Sequence, residues 1–88
     1  MADEAFDVVL PIELEAGVYA EELAGWSTGH ALVFDFLVQE SETHRLVTAR
    51  IRVPATAALE IRRSLDGLIG EYELQYGEIR VPRKRGEE

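Results

Sequence analysis

The sequence predicts an α+β fold: an antiparallel β-meander of about four strands, then one long C-terminal helix packed on the sheet. Three observations predict it. Apolar residues alternate at period two in several runs between residues 8 and 53. Short turn-rich links separate those runs. Beyond Pro54 the period changes, and a single apolar stripe at spacings of three and four runs from Ala58 to Tyr76.

The first run sets Val8, Leu10, Ile12 and Leu14 against Val9, Pro11 and Glu13. Pro11 cannot donate to a ladder, so this is expected to be an edge strand. Glu15-Ala16-Gly17 reads as a turn. Val18 to Trp26 is a second strand candidate, although Glu21-Glu22-Leu23-Ala24 also suits a helix start, and both readings stand. Ser27-Thr28-Gly29-His30 is turn chemistry. Ala31 to Val38 is the strongest strand. Leu32, Phe34, Phe36 and Val38 take one face; Ala31, Val33, Asp35 and Leu37 take the other. Both faces are mostly apolar, as in a strand buried on two sides.

Gln39 to His44 forms a polar hairpin loop, and Arg45 to Val53 returns antiparallel. Either Arg50 or Arg52 is placed to face Asp35 across the ladder. Pro54 ends the strand, and the helix is expected over Ala55 to Tyr76. Its N-cap is Thr56, unless Pro54 occupies the entry turn. Ala58, Ile61, Leu65, Leu68, Ile69, Tyr72 and Tyr76 make the stripe. Gly67 and Gly70 weaken the helix or admit another backbone. Gly77 suits the position after the last turn. Glu78 to Pro82 is a candidate short strand. The expected organisation is a flexible acidic segment over 1–7, a single domain over 8–81 and a charged tail over 82–88.

Charge is segregated along the chain. Residues 1–44 hold ten Asp and Glu and no Lys or Arg, whereas residues 45–88 hold all nine Lys and Arg against seven Asp and Glu. The net charge of −8 thus divides into −10 and +2. Such a chain presents an acidic surface to a partner, or pairs head to tail with a copy of itself. The acidic balance makes nucleic acid an unfavoured partner. There is no cysteine, which removes disulfides, thiolate nucleophiles and Cys-based zinc sites. With Met1-Ala2-Asp3-Glu4 acidic where a signal peptide is basic, a cytoplasmic location is expected. No run approaches the ~18 apolar residues of a membrane span.

A helix of 22 residues is about 33 Å long and covers one sheet face, not two. Because the central strand is apolar on both, a homodimer is expected. The interface residues are Val33, Phe34, Phe36 and Leu37 for sheet-face stacking, or Leu65, Leu68 and Tyr72 for helix pairing. The alternative is a monomer with one solvated sheet face.

Four stretches carry a resemblance to a known family: Gly17-Val18-Tyr19-Ala20, Leu32-Val33-Phe34-Asp35-Phe36, Ala49-Arg50-Ile51-Arg52-Val53-Pro54, and Tyr72-Glu73 with Tyr76-Gly77-Glu78-Ile79. In order and spacing they resemble the DUF3467 family of uncharacterised small prokaryotic proteins, over about residues 8–81. Pro54 stands one place earlier than the family's pattern has it. The resemblance implies no activity and transfers no catalytic residue. The position of similar genes beside RNA polymerase genes in some bacteria hints at a transcription-related partner.

Glu40, Glu42 and His44 alternate through the hairpin loop and offer metal ligands, but no further ligand follows, so a solvated tip is the reading preferred. His30 and its neighbours Ser27 and Thr28 lie too close along the chain to read as a triad. Arg80, Arg83, Lys84 and Arg85, with Arg50, Arg52, Arg62 and Arg63, offer a local basic surface, read first as a solvated tail. Trp26, Phe34, Phe36, Tyr72 and Tyr76 read as core. Tyr19 projects opposite to Val18 and Ala20, and Glu21 and Glu22 form an acidic edge that discourages edge pairing. No catalytic, cofactor or metal residue is therefore assigned. The expected function is a non-enzymatic interaction or regulatory module, a homodimer that docks on a larger protein. The alternatives are a nucleic-acid- or transcription-associated regulator using Arg50, Arg52 and Arg80–Arg85, and then a small-molecule or metal enzyme.

Overall fold

The computed structural model describes residues 6–82. Its elements are a 3₁₀ turn (Ile12–Leu14), β1 (Glu22–Ser27), β2 (Ala31–Gln39), β3 (Arg45–Pro54) and α1 (Ala55–Tyr76). The strands form one open antiparallel sheet in the order β1-β2-β3. The class is α+β, with three strands where about four were expected. The described chain divides into two compact units, 6–26 with 33–51 and 27–32 with 52–82.

The missing strand is the first. Val8 to Leu14 alternates correctly but forms no ladder; its end folds instead into the 3₁₀ turn. Local bonds explain this. Leu14 N–H donates to Pro11 O at 2.9 Å, Glu15 N–H to Ile12 O at 3.2 Å, and Gly17 N–H to Leu14 O at 3.0 Å. Gly17 closes the turn at φ 74°, in the left-handed region that glycine enters without a Cβ penalty. Alternation shows which residues share a face, but a strand also needs a neighbour, and none of the described strands pairs with this run.

The second candidate is a strand, not a helix, but it starts at Glu22 rather than Val18. Pairing begins just before it, where Glu21 N–H donates to Leu37 O at 2.8 Å. Gly25 is required in β1 by the closeness of the neighbouring strand: a Cβ there would lie 2.5 Å from Val33 O. The β1–β2 turn is tied by Thr28, whose N–H donates to Ala31 O at 3.0 Å and whose hydroxyl accepts from Ala31 N–H at 3.2 Å. The β2–β3 loop closes through Glu40 N–H to His44 O at 3.0 Å.

The helix spans Ala55–Tyr76, as the stripe predicts. Pro54 is its N-cap, with extended φ and ψ of −64° and 154° and no side-chain cap bond, so Thr56 lies inside the first turn. Gly77, at φ 101°, ends it, and its N–H donates to Glu73 O at 2.9 Å. The Glu73 carboxylate also accepts from Ile79 N–H at 3.0 Å, holding the departing chain to the last turn. Glu78 to Pro82 forms no strand, because these local bonds take its first residues away from any ladder. The calls on residues 1–5 and on Arg83, Lys84 and Arg85 fall outside the described residues.

Candidate interaction surface

The two faces of the sheet differ in chemistry, and one ion pair shows how they are assigned. Arg50 on β3 grips Asp35 on β2 with two bonds, Nε to Oδ1 at 2.6 Å and Nη2 to Oδ2 at 2.8 Å. The same guanidinium lies 5.0 Å from the centroid of the Trp26 ring on β1. Asp35, Arg50 and Trp26 therefore share a face. Val33 shares it by strand alternation. Asp35 is only 7% exposed and Val33 is completely buried. The Arg50 guanidinium holds the Asp35 carboxyl below the usual carboxylate range, against the opposing effect of burial. This is the cross-strand contact that the sequence left open between Arg50 and Arg52, and Arg50 makes it.

Further polar contacts reinforce the sheet. Arg45 Nε donates to Glu22 at 2.7 Å. The Glu21 carboxylate accepts from Gln39 N–H at 3.0 Å. The Thr48 hydroxyl donates to Phe36 O at 3.1 Å. Glu21 and Glu22 are thus working parts of the sheet as well as an acidic edge.

The other face is apolar. Alternation from Asp35 and Arg50 gives it Phe34, Phe36 and Val38 from β2 and Val47, Ala49 and Ile51 from β3. Phe34, Phe36 and Val38 are half-buried, while Val47 and Ile51 are exposed. Among the expected interface residues, Phe34 and Phe36 lie here. Val33 and Leu37 lie on the Asp35 face, with Val33 in the interior and Leu37 half-buried. Val47 and Ile51 were legible as an alternating pair, but their face depends on the register that Arg50 sets.

The helix, described by itself, has a second apolar surface. Leu65, Leu68 and Tyr72 are exposed, with Leu68 at 62%. Tyr72 and Tyr76 stack one turn apart, ring centroids 4.9 Å at 47°. No α1 residue is buried. Among the described residues an added Cβ at Gly67 or Gly70 would meet nothing within 4 Å, so neither glycine marks a close approach to them.

Chemistry-bearing groups are scattered or occupied. His44 Nδ1 is bonded to the Thr43 hydroxyl at 3.0 Å and to the Ser41 hydroxyl at 3.3 Å, inside its own loop. Among the described residues no group of three or more His, Asp and Glu is placed to hold a metal ion. His30 contributes a backbone N–H to Thr28 Oγ1 at 3.4 Å in the β1–β2 turn. Of the basic residues, Arg45, Arg50, Arg63 and Arg80 are paired with Glu22, Asp35, Glu60 and Glu78. Among the described residues no helix is long and apolar enough to cross a membrane.

Comparison of the chain with models of known families, with curated proteins and with solved structures gave no match.

Proposed function

We propose that this protein is a non-enzymatic interaction module that works as a homodimer and docks on a larger protein in the cytoplasm. One observation carries the reading: among the described residues a single hydrophobic side chain, Val33, is buried, while Val47 and Ile51 on the apolar sheet face and Leu65, Leu68 and Tyr72 on the helix are exposed. Contiguous apolar surface of this kind marks association sites. The apolar face lacks the convergent polar groups that fix a small ligand, which favours a protein partner. The charge split gives two copies a complementary electrostatic pattern, and the acidic N-terminal half suits a basic patch on a larger protein. The resemblance to the uncharacterised DUF3467 family supplies no activity and no chemistry to this reading. The nucleic-acid alternative has less support, because most of the described arginines are already paired with carboxylates.

The test is recovery of the tagged protein with its partners from its own cells, identified by mass spectrometry at low and moderate salt. One reproducible larger partner, lost on Phe36→Asp, supports the reading. Recovery of the protein alone contradicts the docking half of it.

A further inference from the structure

The segment Phe6–Leu10 has the alternating pattern of a strand but, among the described residues, pairs with none. Phe6, Val8 and Leu10 alternate with Asp7 and Val9, and Pro11, which follows them, is extended at φ −60° and ψ 142°. Among the described residues, none of Phe6–Leu10 takes part in a backbone hydrogen bond. Their apolar side chains stand in solvent, with Val8 84% exposed. The sheet has what this segment lacks. β3 is an edge strand, so one side of its N–H and C=O groups is unpaired within the sheet.

We propose that Phe6–Leu10 of one copy adds as a fourth strand along the β3 edge of a second copy, reciprocally in the homodimer. This rests on the homodimer reading and gives it a geometry. The sequence pattern fits the seat on both faces. With Phe6, Val8 and Leu10 turned to the apolar side, they extend the row of Val47, Ala49 and Ile51 by one strand. Asp7 then falls on the side of Arg50.

Charge selects β3 over the opposite edge. β1 brings Glu22, with Glu21 immediately before it, against Asp7, whereas β3 brings Arg45, Arg50 and Arg52, the first two of which also hold Glu22 and Asp35. The partner is a second copy because, in its own chain, the segment joins no strand of the three-stranded sheet. β-strand addition of this kind draws affinity from main-chain bonds and specificity from alternate side chains.

The chain has no cysteine, so single-cysteine variants report contacts cleanly. The Val8→Cys chain is mixed with Val47→Cys, Ala49→Cys or Ile51→Cys, each on a separate chain, and with Leu23→Cys on β1 as the comparison. Mild oxidation is followed by non-reducing mass analysis. A mixed disulfide to one of the β3 positions and none to Leu23→Cys is the expected result. In parallel, Val8→Pro and Val9→Pro each remove a backbone N–H, one of which faces β3 because alternate N–H groups of an added strand point to its single neighbour, and at least one should weaken dimerisation about tenfold or more, with the far-ultraviolet circular dichroism retained. A wild-type dimer that keeps its affinity in both proline variants and cross-links only through Leu23→Cys, or not at all, overturns the strand addition alone. A wild-type chain that sediments as a monomer removes the homodimer reading with it.

Discussion

The Asp35–Arg50 pair shows most plainly how a single side chain organises this protein. Asp35 lies in the middle of the central strand, in a run that is otherwise apolar. A carboxylate there is tolerable only when both oxygens are bonded, and Arg50 bonds both. Because the pair lowers the folded-state pKa of Asp35, it contributes stability above the unfolded pKa, and that contribution is lost as pH falls through the lower folded value. Asp35→Asn should therefore lower the thermal midpoint at neutral pH and flatten its fall in acid, which melting followed from neutral to acid pH would show. Gly25 makes a second prediction at this scale. An added methyl would be driven against Val33 O, so Gly25→Ala should destabilise by about 1–3 kcal/mol in chemical denaturation. The sequence marks Asp35 as unusual and offers two candidate partners, but it gives no sign that Gly25 touches β2. Interstrand closeness depends on register and twist, which are not written in any one strand.

At the scale of elements, legibility followed the number of neighbours an element needs. α1 was read to its last residue because a helix satisfies its backbone within itself, and Pro54 and Gly77 punctuate its ends. β2 and β3 were read within a residue or so, since a short polar loop forces them together. β1 was shortened, and the first strand was absent, because alternation is a property of the segment while a ladder belongs to a pair. The helix itself carries a further prediction. Gly67 and Gly70 lie in open space, so Gly67→Ala and Gly70→Ala should each stabilise the chain by about 1 kcal/mol. A loss of stability instead, read by urea denaturation at several protein concentrations, would reveal a second backbone seated there in the assembly.

At the scale of the whole molecule, the candidate surface was only partly legible. Phe34, Phe36, Leu65, Leu68 and Tyr72 lie exposed or half-exposed where the periodicities put them. Val33 instead lies in the interior, and Val47 and Ile51 join the sheet surface. The charge segregation was visible at once, and part of it is used internally, since Glu22–Arg45 and Asp35–Arg50 join the acidic half to the basic half within one chain. In the proposed dimer the apolar face is the main driving force for association. Burying one Phe side chain is worth about 1.5–3 kcal/mol, so Phe36→Asp should weaken a dimer built on this face by roughly tenfold or more. The central claim is that one copy is not the functional unit, and sedimentation velocity of the wild-type chain across a wide concentration range tests it most directly. A species of twice the chain mass that dissociates on dilution, and forms less readily with Phe36→Asp, is the predicted result. A single species of one chain mass at every concentration would contradict it.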